Sequence, residues 1–390
     1  INPDWYARTR NYVDGAVTRL APWITHGFLN LPEVTQLIDA RHKLSFDDKL
    51  VFEFGWREFF LHVHGHLGQG ILKDVRRPVW SGHYSQEMPS DVMEGRTGIA
   101  PIDFGIEQLY TTGYIHNHVR MWIASYLVHL RKVNWRVGAD WMYGHLLDGD
   151  LASNHLSWQW VAGTFSHKPY VFNADNVKKY ASKWDCTGTC IDTDYEDLES
   201  IARSKKDVGR EVKAPSLGSV EPNVSGFNAD NIDAQLKERI IDLGDSNTDY
   251  KKATPTCKTV QLIHPWDLGE CFEDAPENGL RIGLIDKAFH KQHRWSQLRW
   301  DFVLNAMKEG CRQIWIVDTD ANSRCTELLK HFNASGIQFE MKETLNEGYV
   351  TMSRCLPIQW THEDRLLPNP ARFQQSFSRF SFTDSFSRCK

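Results

Sequence analysis

The chain has 390 residues, of which 41% are hydrophobic and 24% charged, and this composition excludes a disordered or fibrous protein. No stretch approaches the roughly 18 to 20 apolar residues of a membrane-spanning helix, and the first residues, INPDWYARTR, lack the apolar core of a signal peptide. We therefore expect a soluble, cytoplasmic protein with no membrane partner. The formal net charge of −5 gives no positive support for nucleic-acid binding, although a local basic patch would suffice to contact phosphates.

Cysteine and tryptophan usage add two further constraints. The eight cysteines are spread from residue 186 onward, without the dense framework of a small secreted domain, so a reducing compartment is the simpler interpretation. Tryptophan is unusually frequent, with 15 residues in the chain. A heavily aromatic core explains such a number as well as a functional role does.

The first half of the chain predicts helices and no alternating strands. In residues 116–131, for example, apolar side chains recur at spacings of three and four, which is typical of a helix packed on one face. From 203 to 256 the chain turns polar, and this stretch predicts a linker or a long surface excursion.

After the polar stretch, short apolar runs alternate with helical patterns. We expect strands at the apolar runs, which are 259–264, 281–286, 313–318 and 337–341. We expect helices between them, at 295–310 and 326–332. Strands separated by helices of this length indicate a parallel α/β sheet.

The fold class that follows is an all-helical domain followed by a smaller parallel α/β domain. We place the helical domain at 1–200, the polar linker at 203–256 and a Rossmann-like α/β domain at 257–350. The tail, 351–390, contains aromatic residues without a clear period and stays unassigned.

The segment 135–177 carries the most distinctive polar residues. Two carboxylates, Asp148 and Asp150, lie two residues apart where the chain changes from apolar to polar. The stretch DGDLASN can begin a helix, with either Asp150 or Ser153 accepting hydrogen bonds from the free backbone N–H groups. Capping explains only one of the carboxylates. Arg120, upstream, can neutralise a buried carboxylate, because a buried charge needs a partner.

Three stretches together resemble the FAD-binding helical domain of the cryptochrome and DNA photolyase superfamily. They are WREFF, QLYTTGYIHNHVRMWIASYL and LLDGDLASNHLSWQWVAGT. The resemblance covers about residues 1–180 and is specific, because an ordered series of rare residue types is stronger than one short motif. The stretch 17–30 also resembles the family's phosphate-contacting turn, with Thr18 retained and Ala21 where a Ser is usual.

The resemblance implies FAD as the cofactor and a set of residues that hold it. It places Arg57 near the flavin, the ion pair of Arg120 and Asp148 beside the ring, and Asp150 at the ring's polar edge. Asn154 matches the residue that faces flavin N5, where photolyases have an amide and plant cryptochromes an Asp. Such groups tune the electronics of the cofactor. The full implied set is Thr18, Leu20, Arg57, Asn117, Arg120, Asp148, Asp150 and Asn154.

The resemblance also implies a chain of indoles that carries electrons to the flavin. Trp158 and Trp135 match two of its members, and Trp80 is our candidate for the outermost one. For a tryptophan chosen at random, core packing is the simpler explanation. The position of Trp158 inside the motif favours the electron-transfer role there.

Five positions match the substrate side of photolyases that split cyclobutane pyrimidine dimers, namely Glu53, Trp56, Asn117, Met121 and Trp160. Members of the (6-4) type resemble a different pattern, with His at the Asn and Met positions. Glu53 and Asn117 can hydrogen-bond pyrimidines, while Trp56 and Trp160 can stack on a flipped-out dimer. The resemblance thus implies light-driven electron transfer from reduced FAD to dimers in DNA, with damaged DNA as the partner.

Two other function classes stay open. A cryptochrome-like blue-light photoreceptor would use the same flavin and indoles without repair and would need a protein signalling partner. A flavin-binding module with a degenerate site is the third possibility. In the family the α/β antenna domain precedes the helical domain, whereas here the α/β pattern follows it, and no segment indicates which antenna chromophore would bind.

Two motifs suggest metal sites but are better explained without a metal. The histidines of HVHGH alternate along a predicted helix and therefore point in different directions, and Cys186 and Cys190 lack a second pair. The cysteines also form no good set for an iron–sulfur cluster. We expect no metal.

Overall fold

The computed structural model describes residues 1–45, 47–208, 218–273, 279–362, 364–367 and 369–381, without the side chains of residues 231, 252 and 381. These residues form two compact units. Unit 1 comprises the described residues of Ile1–Arg19, Thr35–Pro222 and Leu367–Lys390. Unit 2 comprises those of Leu20–Val34 and Asn223–Leu366.

Unit 1 is built from helices. They are α1 (Pro3–Thr9), α4 (Lys49–Leu67), α5 (Ser90–Met93), α6 (Ala100–Thr112), α7 (Asn117–Ser125), α8 (Trp135–His145), α9 (Leu151–Ala162), α10 (Ala174–Tyr180), α11 (Tyr195–Ala202) and α18 (Phe377–Ser381). Helix α3 (Leu31–His42) begins in the residues of unit 2 and ends in those of unit 1. A 3₁₀ helix (Gly68–Leu72) and a π-helical turn (Tyr126–Leu130) complete the regular structure.

The helix predicted at 116–131 is confirmed and shows why unit 1 is helical. His116 caps its first turn by accepting a hydrogen bond from the backbone N–H of His118. The apolar side chains that recur every three or four residues along this helix are fully buried, among them Val119, Trp122 and Ile123. The π-helical turn that follows α7 continues this buried stripe. Burial of the stripe, rather than helix propensity, stabilises the element.

Unit 2 contains a six-stranded parallel sheet in the order β2-β6-β4-β3-β7-β8. Its strands are β2 (Ile240–Asp242), β3 (Thr259–Ile263), β4 (Gly279–Asp286), β6 (Gln313–Val317), β7 (Gln338–Lys342) and β8 (Ile358–Thr361). A two-stranded antiparallel ribbon pairs β1 (Val224–Ser225) with β5 (Trp295–Ser296). The helices are α2 (Ala21–Thr25), α12 (Ala234–Lys237), α13 (Tyr250–Ala253), α14 (Lys287–Gln292), α15 (Gln297–Gly310), α16 (Asn322–Ser335) and α17 (Glu347–Val350). Three 3₁₀ turns join them, at Ala229–Asn231, Leu268–Phe272 and Thr351–Arg354.

The four predicted strands of the sheet are confirmed, and the helices expected at 295–310 and 326–332 correspond to α15 and α16. Strands β4 and β6 are buried over most of their residues because a parallel sheet is covered on both faces, whereas the inner strand β7 alternates buried and more exposed residues. Strands β2 and β8 were not predicted. Both are short, half-exposed edge strands, and β2 lies inside the stretch that we expected to be polar linker. The short apolar run Ile240–Ile241 was the only signal for it.

The two units are interleaved along the chain. Residues 20–34 belong to unit 2, where the His26 ring is fully buried and its Nδ1 lies 2.6 Å from the Pro265 carbonyl oxygen. The same ring packs against Phe302 at a centroid distance of 5.2 Å. The consecutive domains predicted at 1–200 and 257–350 stay a prediction.

Cysteines, metal ligands and membrane spans can be assessed over the described part of the chain. A disulfide joins Cys325 to Cys355. We did not expect a disulfide, because the cysteine pattern favoured a reducing compartment. Cys186 and Cys190 are free thiols. Among the described residues, no group of three or more His, Cys, Asp or Glu side chains could hold a metal ion. None of the described helices is long and apolar enough to cross a bilayer.

Asp286 connects the end of β4 to its neighbours, and its loss should destabilise unit 2. Its buried carboxylate accepts hydrogen bonds from Ala288, Phe289 and Thr319. We expect Asp286→Ala to lower the free energy of unfolding by about 2 to 4 kcal/mol, because a helix cap is lost and buried donors stay unpaired. Urea unfolding followed by circular dichroism measures this.

The matched control is Asp233→Ala, which removes an exposed carboxylate that caps α12. This variant should cost about 1 kcal/mol or less. Equal losses in the two variants would contradict a structural role for the buried cap.

Candidate functional site

The site in unit 1 is organised by the turn between α8 and α9. Asp150 caps α9 by accepting a hydrogen bond of 2.7 Å from the Ser153 backbone N–H, so the helix begins at Leu151. Of the two capping residues that the sequence left open, the structure therefore has Asp150. The turn also fixes Asp148, two residues earlier.

Asp148 forms the expected ion pair with Arg120. Their side chains meet at 2.8 Å between Nη2 and Oδ2, and the Asp148 side chain is only 5% exposed. Arg120 Nε also donates to the carbonyl oxygen of Ile115, a residue just before α7, at 2.7 Å. This hydrogen bond fixes the orientation of the guanidinium group. A buried carboxylate needs such a partner. That the pair lies beside a flavin stays a prediction.

The charge of a second arginine, Arg57, acts on Asp150. Burial raises the pKa of Asp150, but the charge of Arg57 on α4 and hydrogen bonds from Ser153 outweigh it, so the pKa is below its usual value. His64 lies on the same helix as Arg57, and its pKa is lowered by burial although Asp150 acts against this. The imidazole of His64 is therefore neutral near pH 7. The sequence did not identify His64 as part of this cluster.

The amide of Asn154 is held by α8. Its Nδ2 donates to the Ala139 carbonyl oxygen at 2.9 Å, which fixes the side chain's orientation. The next residue, His155, is fully buried, and its Nε2 lies 2.9 Å from Asp140 Oδ1. Burial raises the pKa of Asp140, but His155 and Arg136 lower it more strongly. The sequence gave no signal for the pairing of His155 with Asp140, because Asp140 lies outside the matched motif.

Trp158 and Trp135 lie on the two helices that meet at the site, and their exposed fractions are 3% and 5%. The Trp158 ring occupies the space beside Gly138, where an added Cβ would lie 2.5 Å from it. The Trp135 indole N–H donates to the carboxylate of Asp74 at 2.6 Å. This negative charge favours removal of an electron from Trp135.

Trp80 has the opposite electrostatic environment. The Lys132 ammonium lies 5.2 Å from the centre of its ring. Burial lowers the pKa of Lys132 to about 8, so the amine is still mostly charged at pH 7. A positive charge over the ring opposes loss of an electron. The role of Trp80 as the outermost indole stays a prediction.

Arg10 links two of the substrate-side helices. Its Nε lies 3.4 Å from Glu53 Oε1 on α4, and its carbonyl oxygen accepts a hydrogen bond of 3.1 Å from His116 Nε2, which precedes α7. The first residue of α7, Asn117, is exposed, and its Nδ2 contacts the sulfur of Met121 at 3.6 Å. Arg10 thereby connects the predicted substrate residue Glu53 to the start of α7, the helix that carries Asn117 and Met121. Sequence reasoning did not identify Arg10.

The two predicted stacking rings have different surroundings. Trp160 is 37% exposed at the end of α9 and lies 5.7 Å from the Tyr170 ring. Trp56 on α4 stacks on Phe377 from the end of the chain, with ring centroids 4.4 Å apart and planes inclined by 16°. One ring is thus open to solvent, whereas the other has a face already covered.

The predicted phosphate-contacting turn is divided between the units. Thr18 belongs to unit 1, and its neighbour Arg19 lies over the Tyr114 ring at 5.7 Å, as Arg120 does at 5.6 Å. Thr18 is therefore in the same region as the ion pair of Arg120. Leu20 belongs to unit 2, where it precedes α2, and its predicted contact with the cofactor is untested.

The three histidines of HVHGH divide into two groups. His62 and His66 have ring centroids 4.3 Å apart and contact Asn369 and Ala371, whereas His64 interacts electrostatically with Asp150. The expectation that all three point in different directions is therefore wrong for His62 and His66.

The arrangement fits the flavin dinucleotide that the resemblance implies. The ion pair of Arg120 with Asp148, the charge of Arg57 on Asp150 and the oriented amide of Asn154 bring polar groups from α4, α7 and α9 to the turn between α8 and α9. Guanidinium groups suit the pyrophosphate, and amide and carboxylate groups suit the polar edge of a flavin ring. The candidate holders are Thr18, Arg57, Arg120, Asp148, Asp150 and Asn154.

Comparison with known protein families gives a direct match. The family described as the FAD binding domain of DNA photolyase matches residues 50–251, which is more than half of the chain. A deoxyribodipyrimidine photo-lyase of Neurospora crassa is 32% identical over 42% of this chain and 27% of its own. A chloroplastic/mitochondrial cryptochrome DASH of Oryza sativa is 28% identical over 52% of this chain and 36% of its own. The chain therefore spans well under half the length of these relatives.

Solved structures give similar partial matches. A cryptochrome of Synechocystis aligns over 46% of this chain and 40% of its own, at 25% identity and a TM-score of 0.43. A class III photolyase of Agrobacterium tumefaciens aligns over 45% of this chain and 39% of its own, at 30% identity and a TM-score of 0.42. From the family match, the chain belongs to the cryptochrome and DNA photolyase superfamily and carries its FAD-binding domain.

Proposed function

We propose that the protein is a photolyase-like flavoprotein that uses light to transfer an electron from its reduced FAD to cyclobutane pyrimidine dimers in DNA. The observation that carries the proposal is the arrangement around Arg10. It links Glu53 of α4 to the residue before Asn117 of α7. Glu53 and the start of α7, which carries Asn117, are therefore connected through a single residue.

The substrate residues have the properties that a flipped-out dimer requires. Burial raises the pKa of Glu53, while the charge of Arg10 opposes this shift. The carboxylate, whose Oε1 lies 3.4 Å from Arg10 Nε, can accept a hydrogen bond from a pyrimidine N–H. The exposed ring of Trp160 offers an apolar face to a base. Extrusion from the duplex costs a few kcal/mol, and stacking on an indole returns about 1 to 3 kcal/mol per base.

The proposed cofactor residues combine charged groups of both signs. When bound, FAD supplies the light absorption and the one-electron chemistry. Arg120 pairs with the buried carboxylate of Asp148, and the charge of Arg57 helps to hold the pKa of Asp150 below its usual value. Asn154 presents an amide whose orientation α8 fixes. Trp158 and Trp135 provide the buried path for electrons.

A cryptochrome-like blue-light photoreceptor without repair activity is the second candidate function. The stack of Phe377 on Trp56 favours it, because a base cannot use the covered face of that ring. The similarity to cryptochromes of the DASH type agrees with either function.

Light-dependent loss of the dimer tests the proposed function. The FAD-loaded protein is incubated with an oligonucleotide that contains one cyclobutane dimer, under blue light and in the dark, and the repaired strand is quantified by chromatography. We expect repair only in the light. Flavin photoreduction with the dimer intact would contradict repair and support the photoreceptor.

Glu53→Ala should weaken repair and leave the flavin bound. Loss of a hydrogen bond between the charged carboxylate of Glu53 and a base costs about 1.5 to 3 kcal/mol, which corresponds to about a tenfold to hundredfold lower kcat/KM. The control is Glu107→Ala, an exposed carboxylate on α6. Repair by the Glu53 variant at the wild-type rate would remove this residue from the substrate site.

Trp158→Phe should slow photoreduction of the bound flavin by more than an order of magnitude, because the first indole of the path is lost. The rate is measured from flavin absorbance under blue light with an external thiol as reductant. Trp141→Phe is the matched control, since Trp141 is a buried indole of α8 outside the predicted path. Equal rates in the two variants would refute the role assigned to Trp158.

A further inference from the structure

The described residues 369–380, here called the tail segment, lie against α4 within unit 1. His62 holds this segment through both ring nitrogens. Its Nδ1 lies 2.7 Å from Asn369 Oδ1, and its Nε2 accepts a hydrogen bond of 2.8 Å from the Gln374 backbone N–H. Because a backbone N–H can only donate, the proton of His62 is on Nδ1 and the ring is neutral.

Aromatic rings of the tail segment continue the contact along the same helix. Phe373 stacks on His62 at a centroid distance of 6.0 Å, and Phe380 lies 5.6 Å from Phe59. Phe377 packs on Trp56 and is only 7% exposed. The absence of a side chain at Gly55 makes room for Phe377, since an added Cβ would lie 3.2 Å from its ring.

The stack on Trp56 has the geometry that a nucleobase would adopt on the same ring. The two rings are nearly parallel and their centroids lie 4.4 Å apart, so a second ring has no space on that face of Trp56. Trp56 is also one of the five substrate residues predicted from the sequence. The phenyl ring and a base are therefore alternatives on the covered face.

We propose that the tail segment is an intramolecular competitor of the substrate, which covers Trp56 in the free protein and is displaced when a flipped-out pyrimidine dimer binds. This inference rests on the proposed function. It assigns a role to two sequence features that the flavin site does not use, the outer histidines of HVHGH and the phenylalanine-rich tail.

The tail segment can be displaced because its helix is short and its contacts with α4 are uncharged. Helix α18 has five residues, and an isolated helix of that length is not stable in water, so its order depends on docking to α4. Asn369 and Gln374 remain tethered to His62, so only the residues after Gln374 must move to uncover Trp56. The contacts are neutral hydrogen bonds and ring packing, with no ion pair among those described.

Two variants test the proposal through DNA affinity in the dark, where repair does not contribute. Phe377→Ala removes the ring over Trp56, whereas Phe373→Ala removes a tail ring that contacts His62 and His66. Binding of a fluorescent single-stranded oligonucleotide with one cyclobutane dimer is measured by anisotropy on the full FAD-loaded chain. We expect Phe377→Ala to bind severalfold more tightly than wild type and more tightly than Phe373→Ala. Unchanged or weaker binding by Phe377→Ala would show that the ring supports the site, and would overturn the proposal.

Hydrogen exchange on the wild-type chain tests displacement without any substitution. Addition of the damaged oligonucleotide should accelerate amide exchange after Gln374, and the undamaged oligonucleotide should not. Binding of damaged DNA with unchanged or slower exchange there contradicts this proposal alone. Failure of both the wild type and Phe377→Ala to bind damaged DNA contradicts the proposed function and this inference with it.

Discussion

Charge pairing at the turn between α8 and α9 connects helices of unit 1. The buried Asp148 forms an ion pair of 2.8 Å with Arg120 of α7, and the charge of Arg57 on α4 lowers the pKa of Asp150, two residues later. A buried charge without a partner costs several kcal/mol. Arg120 therefore ties α7 to this turn, and Arg57 acts on it from α4. Asn154 and Trp158 follow on α9, where contacts with Ala139 and Gly138 of α8 position them.

The sequence allowed prediction of elements that are determined by their own residues, and of side-chain pairs that belong to a specific motif. The central strands β4 and β6 were predictable because burial on both faces makes them largely apolar. Strands β2 and β8 were not, because a short edge strand is half-exposed and carries little pattern. In the site, the pair of Arg120 with Asp148 was predictable from the motif. The roles of Arg10 and His62 were not, because their partners lie far away in the sequence.

Electrostatic surroundings distinguish indoles that look equivalent in a sequence. Trp135 donates to the carboxylate of Asp74, whereas Trp80 lies under the ammonium of Lys132. A negative charge stabilises a ring that has lost an electron, and a positive charge destabilises it. Neither Asp74 nor Lys132 belongs to a tryptophan motif. The order in which indoles lose electrons is therefore a property of the folded environment, which no count of tryptophans can supply.

Whether Trp56 serves repair or sensing depends on how strongly its present partner is held. A cover anchored by a buried ion pair would be costly to remove, because its separation leaves an unpaired charge. Phe377 is held by ring packing, and aromatic pairs contribute about 0.5 to 1.5 kcal/mol beyond the burial of their area. A base stacked on the same ring would gain about 1 to 3 kcal/mol and would also replace the area that Phe377 buries. Exchange of the two partners on one ring therefore leaves no unpaired charge behind, so the covered face of Trp56 is compatible with DNA repair as well as with a sensor whose tail moves.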